Sequence, residues 1–523
     1  MNYINKIQLP ENISSIKDVS EYYDHNINDL ITYLFKNTKF NKQDILNFFR
    51  AYFKNIINKK IQDDYINLIE KFSNSILPII LKSKYPRQGT FQLLRFIDAI
   101  QPNFDFIEMV ILNSFSHKKI SDILTFSGHA TNLLSKDINL LEILDPYYRI
   151  KLTKNINIYQ KEFNKISVNE DEETILNKLR KTHRKLKFQI IVSIITDELK
   201  VEDAAHEFYL LAHCTLQKVQ KIAVDLISKE RNFDPNVIND FGILAYGRFA
   251  QNLMTSNSDL DLVFIFPDKN QNFKNQKTYH LILSLISQKM ITILSSKTSE
   301  NLIYEVDTKL GPKVRISSNA CTLSEFKSFH ENETFSWEKM ALMKSELVFK
   351  DYNFQIELDK VIKKFKSQTI NNKNLIHEIN EMRRINVKPE KIENNEKRSS
   401  LNISENVENK IHWYETKYSL GGQRDIEFLE FFYSNPKYNE IIENIEEKKY
   451  FIKKAKMFYF IIDQYVNLTF SNQKPSKLTN QIIEKLQKNL NIRDLGSLKL
   501  SLKNTKNEIN KYLIHILENK IFD

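Results

Sequence analysis

The sequence contains little cysteine, glycine or proline, and each shortage excludes a class of protein. Its 523 residues include only 2 Cys, 8 Gly and 11 Pro. Two cysteines, Cys214 and Cys321, cannot build a disulfide framework or a cysteine-based metal site. Glycine-rich repeats are excluded, and so is a β-rich fold with many tight turns, because such turns draw heavily on glycine and proline. We therefore expect a mostly helical protein.

Long apolar runs and a secretory leader are missing as well. A membrane-spanning helix needs ~18 consecutive apolar residues, and the longest candidate, Leu281–Leu294, is interrupted by two serines, a glutamine and a lysine. The first residues do not show the basic-then-apolar pattern of a signal peptide. We expect a soluble, cytoplasmic protein that does not associate with a membrane.

The charge of the chain is basic but spread thinly. Lys+Arg number 76 and Asp+Glu 65, which leaves a formal net charge of +11. Because this excess lies in a background rich in Lys, Asn and Ile, it does not predict a dedicated nucleic-acid partner. The hydrophobic content of 41% excludes a disordered chain. At about 150 residues per domain, the length predicts three or so structural units.

Apolar periodicity divides the chain into segments. Short apolar runs at Phe241–Ala245, Leu260–Phe266 and Leu302–Val306 alternate with helical segments, which predicts a small α/β unit. Elsewhere the apolar residues recur three and four apart, as in helices. Residues 387–409 are polar and charged and are predicted to form a loop. The predicted segments are an N-terminal helical domain (1–165), connecting long helices (166–234), the α/β domain (235–355) and a C-terminal helical bundle (356–523).

Two further patterns predict local structure. Arg180 and Arg184 lie in a basic stretch of the first long helix, for which we favour a solvated face over a phosphate-binding one. Thr322 followed three residues later by Glu325 is a capping-box pattern that begins a helix.

Three aspartates in the α/β unit indicate a metal site. Asp259 and Asp261 stand two apart at the start of the second apolar run, so that strand alternation places both carboxylates on one face. Asp307 ends the third run. Carboxylates this close repel one another unless a cation lies between them. The trio could hold two Mg²⁺ or Mn²⁺ ions about 3.5–4 Å apart, as in-line nucleotidyl transfer requires.

Residues around the aspartates suit a bound triphosphate. The turn at Gly247, together with Ser258, would let backbone N–H groups approach phosphate oxygens. Lys344 shares a predicted helical face with Trp337, Met340 and Ala341, from which it could reach either a phosphate or solvent. Further cations that could neutralise transition-state charge are Arg248, Lys309, Lys313 and Arg315.

Four ordered motifs are similar to those of glutamine synthetase adenylyltransferases, within the polymerase-β-like nucleotidyltransferase superfamily. The first is the loop cation followed by Ser258-Asp-Leu-Asp-Leu262. The others are Tyr304-Glu-Val-Asp-Thr-Lys-Leu-Gly-Pro312, Phe335-Ser-Trp-Glu-Lys-Met-Ala-Leu342 and Glu415-Thr-Lys-Tyr-Ser-Leu-Gly-Gly-Gln-Arg-Asp-Ile-Glu-Phe428. The resemblance covers most of residues 85–435. It implies a mainly α protein with a central polymerase-β-like α/β domain flanked by helical bundles.

The resemblance also implies an activity. Family members transfer AMP from ATP to a tyrosine hydroxyl of glutamine synthetase and so regulate nitrogen assimilation. It implies that Asp259, Asp261 and Asp307 bind Mg²⁺ or Mn²⁺, with Asp307 as the general base, and it allows a PII-type signal protein as a second partner.

The direction of the reaction stays open. Family enzymes contain two related halves, one removing AMP and one adding it, and this chain contains one such unit. The motifs at Tyr304 and Trp337 resemble the adding half, whereas Gln423-Arg424 resembles the removing half. The alternatives are therefore phosphorolytic removal of AMP, a non-catalytic regulatory partner, or a nucleotidyltransferase acting on nucleic acid.

Two positions depart from the family pattern. Lys309 and Gly311 replace arginines, which removes a bidentate fork at the first position and a cation at the second. The first turn also has Ala250-Gln251 in place of two glycines. These departures bear on nucleotide affinity and rate rather than on the metal site.

Overall fold

In the computed structural model, the described residues run from 75 to 518. The gaps lie at 77–78, 81–82, 100–106, 109–110, 112–113, 239–240, 271–272, 274, 298–301, 313–319, 368–374, 387–412, 418, 435–441 and 470–477. The predicted loop 387–409 therefore lies outside the described residues, as do Lys313, Arg315 and the first 74 positions of the predicted N-terminal domain.

The described residues are mostly helical around one small mixed sheet, as predicted. The chain forms two compact units, the first made of Met1–Thr153, Arg184–Lys200 and Val466–Lys474, and the second of the remaining residues. The division of the chain into four segments stays a prediction.

The first unit is helical. Its described helices are α1 (Pro86–Ala99), α2 (Ser114–Phe126) and α3 (Gly128–Lys136), with the C-terminal part of α5 (Glu172–Ile195). Apolar side chains recur along each helix and bury one face, as for Leu93, Ile120 and Leu134, which are fully buried. Ser127 begins α3, because its Oγ accepts a hydrogen bond from the N–H of Ala130 at 2.9 Å.

The basic stretch of α5 differs from the solvated face that we favoured. Arg180 and Arg184 are buried, and Arg184 is paired with Asp137 at 3.6 Å. Lys185 is paired with Glu142 at 3.1 Å. The prediction was wrong for Arg180 and Arg184, whereas Lys181 on the same helix is exposed. Long basic side chains bury their stems when a carboxylate is within reach, as Asp137 is for Arg184.

The second unit surrounds the sheet with helices. Those before the sheet are α4 (Ile156–Asn164), the N-terminal part of α5 and α6 (Val201–Arg231). Strand β1 (Gly242–Ala245) leads through the short helix α7 (Gly247–Ala250) to β2 (Leu260–Phe266), and α8 (Gln276–Ser295) leads to β3 (Val306–Asp307). The next elements are β4 (Ala320–Thr322), α9 (Leu323–Asn332), α10 (Ser336–Met343) and β5 (Glu346–Leu347).

The C-terminal part of this unit is helical. Its helices are α11 (Asn353–Ser367), α12 (Leu375–Asn386), α13 (Gln423–Ser434), α14 (Ile445–Thr469), α15 (Asn480–Leu490) and α16 (Leu495–Glu518), of which α14 ends in the first unit. No helix in the described part of the chain is long and apolar enough to cross a membrane.

The sheet is mixed, and β2 is its central strand. β1 pairs antiparallel with both β2 and β5. The other edge of β2 pairs in parallel with β3 near its start and with β4 near its end. One face packs on a core that contains Leu244, Ile265, Phe326 and Leu358. The arrangement therefore places the start of β2 next to the end of β3.

The strand and cap predictions are largely confirmed. The first two apolar runs form β1 and β2, whereas the third run is a strand only at Val306–Asp307. The capping box opens α9, because Thr322 Oγ1 accepts from the N–H of Glu325 at 3.1 Å and Glu325 accepts from the N–H of Thr322 at 2.7 Å.

Candidate active site

The three aspartates lie where the start of β2 is paired with β3. In the register of β2 and β3, Leu260 is paired with Val306 and Asp261 with Asp307. Directly paired residues project on the same face of a sheet, so the Asp261 and Asp307 side chains are neighbours. Asp259 precedes β2 and is exposed, while Leu260 and Leu262 are buried on the face of the sheet opposite to Asp261. The structure thus brings together the residues that the sequence singled out.

The glycine turn lies directly against Asp261. The N–H of Tyr246 donates to the Asp261 carbonyl oxygen at 2.9 Å. Gly247 has a φ of +60°, and a Cβ atom at this position would lie 2.2 Å from Asp261 Oδ2. Glycine is therefore required twice, once for the left-handed backbone and once for the space that the carboxylate occupies.

The electrostatics of Asp261 reflect this crowding. Burial, followed by the charges of Asp259 and Asp307, raises the pKa of Asp261 to about 6. Lys417 opposes this effect, and Glu427 adds to it. Both residues belong to the segment around the Gly421-Gly422 turn, so this segment contributes charge to the aspartate site.

The donor set fits a hard divalent cation, which takes oxygen ligands. Gly247 leaves space for Asp261 Oδ2. A cation bound there would neutralise the carboxylates, which otherwise repel one another. In the described ranges, no three acidic, histidine or cysteine side chains already enclose a metal position. Closing the site around a cation therefore requires side-chain rearrangement.

Asp307 is paired with the predicted cation Lys309. Lys309 Nζ lies 3.0 Å from Asp307 Oδ2, and the N–H of Lys309 donates to Asp307 Oδ1 at 2.9 Å. The hydrogen bond from Lys309 Nζ to Asp307 and the charge of that carboxylate raise the pKa of Lys309. Since Lys309 is largely exposed, it can leave the carboxylate at little cost.

The predicted loop cation Arg248 is held by the C-terminal helices. It forms an ion pair with the buried Asp463 of α14 and donates to Gln423 Oε1 at 3.3 Å. Asp463 also accepts hydrogen bonds from Thr416 Oγ1 at 2.7 Å and Gln423 Nε2 at 2.8 Å. Sequence reasoning missed Asp463, although an acid inside the apolar run Phe460–Val466 was a usable signal.

Two other predicted nucleotide-binding residues have protein partners. Ser258 Oγ accepts from the N–H of Thr255 at 2.9 Å and so closes the turn before β2. Lys344 Nζ contacts Glu430 Oε2 at 2.5 Å and the Glu427 carbonyl oxygen at 3.2 Å. Lys344 therefore connects the end of α10 to α13.

The Gly421-Gly422 turn is built for close packing. Gly421 has a φ of +70°, and a Cβ there would lie 1.9 Å from the Lys506 carbonyl oxygen. Asp425 accepts from the N–H of Gly421 at 2.7 Å and from Arg383 at 3.1 and 3.0 Å. These contacts agree with the structural role that an acid at a helix start predicts for Asp425.

Adjacent carboxylates on parallel strands, a glycine turn against one of them and a surrounding set of cations together define a candidate nucleotidyl-transfer site. Residues 117–361, which contain the three aspartates, match the family model described as glutamate-ammonia ligase adenylyltransferase. The resemblance that the motifs predicted is thus confirmed for residues 117–361.

Curated relatives agree with this match. Proteins described as bifunctional glutamine synthetase adenylyltransferase/adenylyl-removing enzyme include one from Mannheimia haemolytica, 26% identical over 267 residues, which are 50% of this chain and 26% of the relative. The one from Bradyrhizobium diazoefficiens is 21% identical over 66% of this chain and 35% of its own length. The one from Psychromonas ingrahamii is 24% identical over 71% of this chain and 36% of its own length. The matched region thus spans about a quarter to a third of these relatives.

Proposed function

We propose that the chain transfers AMP from ATP to a tyrosine hydroxyl of glutamine synthetase. The observation that carries the proposal is the register pairing of Asp261 with Asp307 beside Gly247. The family match over residues 117–361 supports the nucleotide chemistry, and the names of the relatives support the target. On this proposal, the mixed sheet of 235–355 is a polymerase-β-like domain, and the reaction occurs in the cytoplasm.

In the proposed reaction, the phenol oxygen forms a bond to the α-phosphorus of ATP. The bond between that phosphorus and the oxygen bridging to the β-phosphate breaks, and pyrophosphate leaves. Asp307 accepts the phenolic proton once Lys309 has left its carboxylate. Asp259, Asp261 and Asp307 would hold Mg²⁺ or Mn²⁺, which supplies charge neutralisation to the triphosphate and lowers the pKa of the phenol.

The surrounding residues would position the nucleotide. The backbone N–H of Gly247 faces the phosphates in this proposal, and Lys309 turns towards them on leaving Asp307. The Ser258 N–H already donates to the Thr255 carbonyl oxygen at 3.2 Å, so it would have to exchange that bond for a phosphate. Arg248 and Lys344 reach a phosphate only by exchanging their carboxylate partners for it. Their present ion pairs keep both cations close to the site without a nucleotide.

A second candidate function is phosphorolytic removal of AMP from the same target. The observation in its favour is Gln423, which resembles the removing half of the family and contacts Arg248 and Asp463. Both directions use the same aspartates, so only the direction of net reaction separates them.

The test is the intact mass of glutamine synthetase after incubation with the protein, MgATP and, in a parallel sample, a PII-type signal protein. We expect a gain of one AMP per modified subunit, located on a tyrosine, and no gain with chelator or with Asp261→Asn. Removal of AMP from pre-modified target with phosphate, without forward transfer, would establish the second function. Reaction in neither direction would contradict both.

A further inference from the structure

Helix α13 presents one face to the glycine turn. Gln423, Glu427 and Glu430 stand at helical positions i, i+4 and i+7, which share a face. Gln423 contacts Arg248, the residue after Gly247. Glu430 contacts Lys456 at 2.8 Å, and Lys456 contacts Gln251 at the end of α7 at 2.7 Å. Glu427 lies between these two contacts, next to the turn that borders Asp261.

Glu427 differs from the other acids of α13 in its partners. The Asp425 carboxylate is held by Arg383, and the Glu430 carboxylate by Lys344 and Lys456. Glu427 uses only its backbone carbonyl, which accepts from Lys344. Within the described residues no donor is paired with its half-buried carboxylate, and its charge acts on Asp261.

An unpaired, half-buried carboxylate on the face of α13 that meets the glycine turn is unfavourable without a cation. The opposite side of the aspartate site is formed by β2 and β3, so a carboxylate from α13 would complete the oxygen donors around a cation. Helix α13 is held against the glycine turn by the contacts of Gln423 and Glu430, which fixes Glu427 in place.

We propose that Glu427 is the fourth carboxylate of the site and binds the divalent cation–nucleotide complex from the helical side. The inference rests on the proposed function and extends it, because it makes the C-terminal helices part of the cation site. It also assigns to the last motif, Gly421-Gly-Gln-Arg-Asp-Ile-Glu427, two separate tasks. Asp425 holds the turn, and Glu427 faces the metal.

The test measures Mn²⁺ binding to the full-length protein by electron paramagnetic resonance, with a non-transferable ATP analogue present. The variants are Glu427→Gln, which keeps the shape, and Glu427→Asp, which keeps the charge. Asp261→Asn is the positive control for loss of the site. Glu446→Gln is the charge-matched control, because Glu446 is an exposed acid at the start of α14.

We expect Glu427→Gln to weaken Mn²⁺ binding about tenfold, the scale of one lost charge-assisted contact. Glu427→Asp should recover part of the loss, and Glu446→Gln should bind like the parent. Thermal unfolding in chelator should be unchanged or slightly improved in Glu427→Gln, whereas a merely structural residue would lower it.

Two outcomes would overturn the inference. One is Mn²⁺ affinity equal to that of the parent in Glu427→Gln while Asp261→Asn loses binding. The other is a fall in the melting temperature of Glu427→Gln in chelator that accounts for the lost affinity. Neither result depends on glutamine synthetase. Failure of AMP transfer to that target with intact Glu427-dependent Mn²⁺ binding would refute the proposed target and leave this inference standing.

Discussion

Substitution of Gly247 by alanine probes the contact between the glycine turn and Asp261. The backbone at this position has φ +60°, which costs an L-residue about 1–2 kcal/mol. The new Cβ would also lie 2.2 Å from Asp261 Oδ2, so the carboxylate must turn away. Moving a side chain off its preferred rotamer costs about 0.5–1.5 kcal/mol. We expect Gly247→Ala to lower the free energy of unfolding by about 2–3 kcal/mol.

A double-mutant cycle separates the two contributions. In an Asp261→Ala background no carboxylate opposes the new methyl group, so Gly247→Ala should cost only the backbone part, about 1–2 kcal/mol. The free energies come from urea denaturation followed by circular dichroism, in chelator. AMP transfer to glutamine synthetase is measured for the same four proteins.

The activities should be non-additive, because both substitutions remove the same carboxylate from the site. Gly247→Ala alone should lower turnover by orders of magnitude, and the double variant should be no slower than Asp261→Ala. Gly247→Ala with near-parental turnover, or an equal cost in both backgrounds, would refute the contact between the turn and the carboxylate.

Two further predictions follow from the site. Asp261→Asn should raise the free energy of unfolding by about 1–3 kcal/mol at pH 8 in chelator. The reason is that the pKa of Asp261 is raised to about 6 in the folded protein, so the parent loses stability as the pH rises from about 4 to 6. Urea denaturation at several pH values should show this difference vanish below pH 4, and a constant difference would contradict the assignment. Gly311→Arg should tighten ATP binding by about 1–3 kcal/mol if its guanidinium reaches phosphate. Gly311→Ala is its control, because a Cβ at position 311 lies 3.1 Å from Val263 Cγ1 and adds the packing cost without the guanidinium. Equal ATP affinities of the two variants, measured by calorimetry, would refute the phosphate contact.

Local sequence patterns determined much of the fold. The nearly continuous apolar run Leu260–Phe266 can bury both of its faces only as an inner strand, and it forms β2. The capping box at Thr322 and Glu325 begins a helix because both partners lie within one turn. The proximity of Asp259 and Asp261 likewise follows from the sequence, since only one residue lies between them.

The tertiary structure decided which basic side chains are paired with carboxylates and which acidic side chains act on the aspartate site. Arg248 and Asp463 are 215 residues apart in sequence, and no local pattern predicts that pair. Asp425 and Glu427 look alike as acids at a helix start, yet Asp425 is held by Arg383, whereas the charge of Glu427 acts on Asp261. Spacing along one element fixes which residues share a face, but the partner of each charge depends on which elements pack together. That packing is set by the burial of the whole apolar surface, to which the charged residues contribute little.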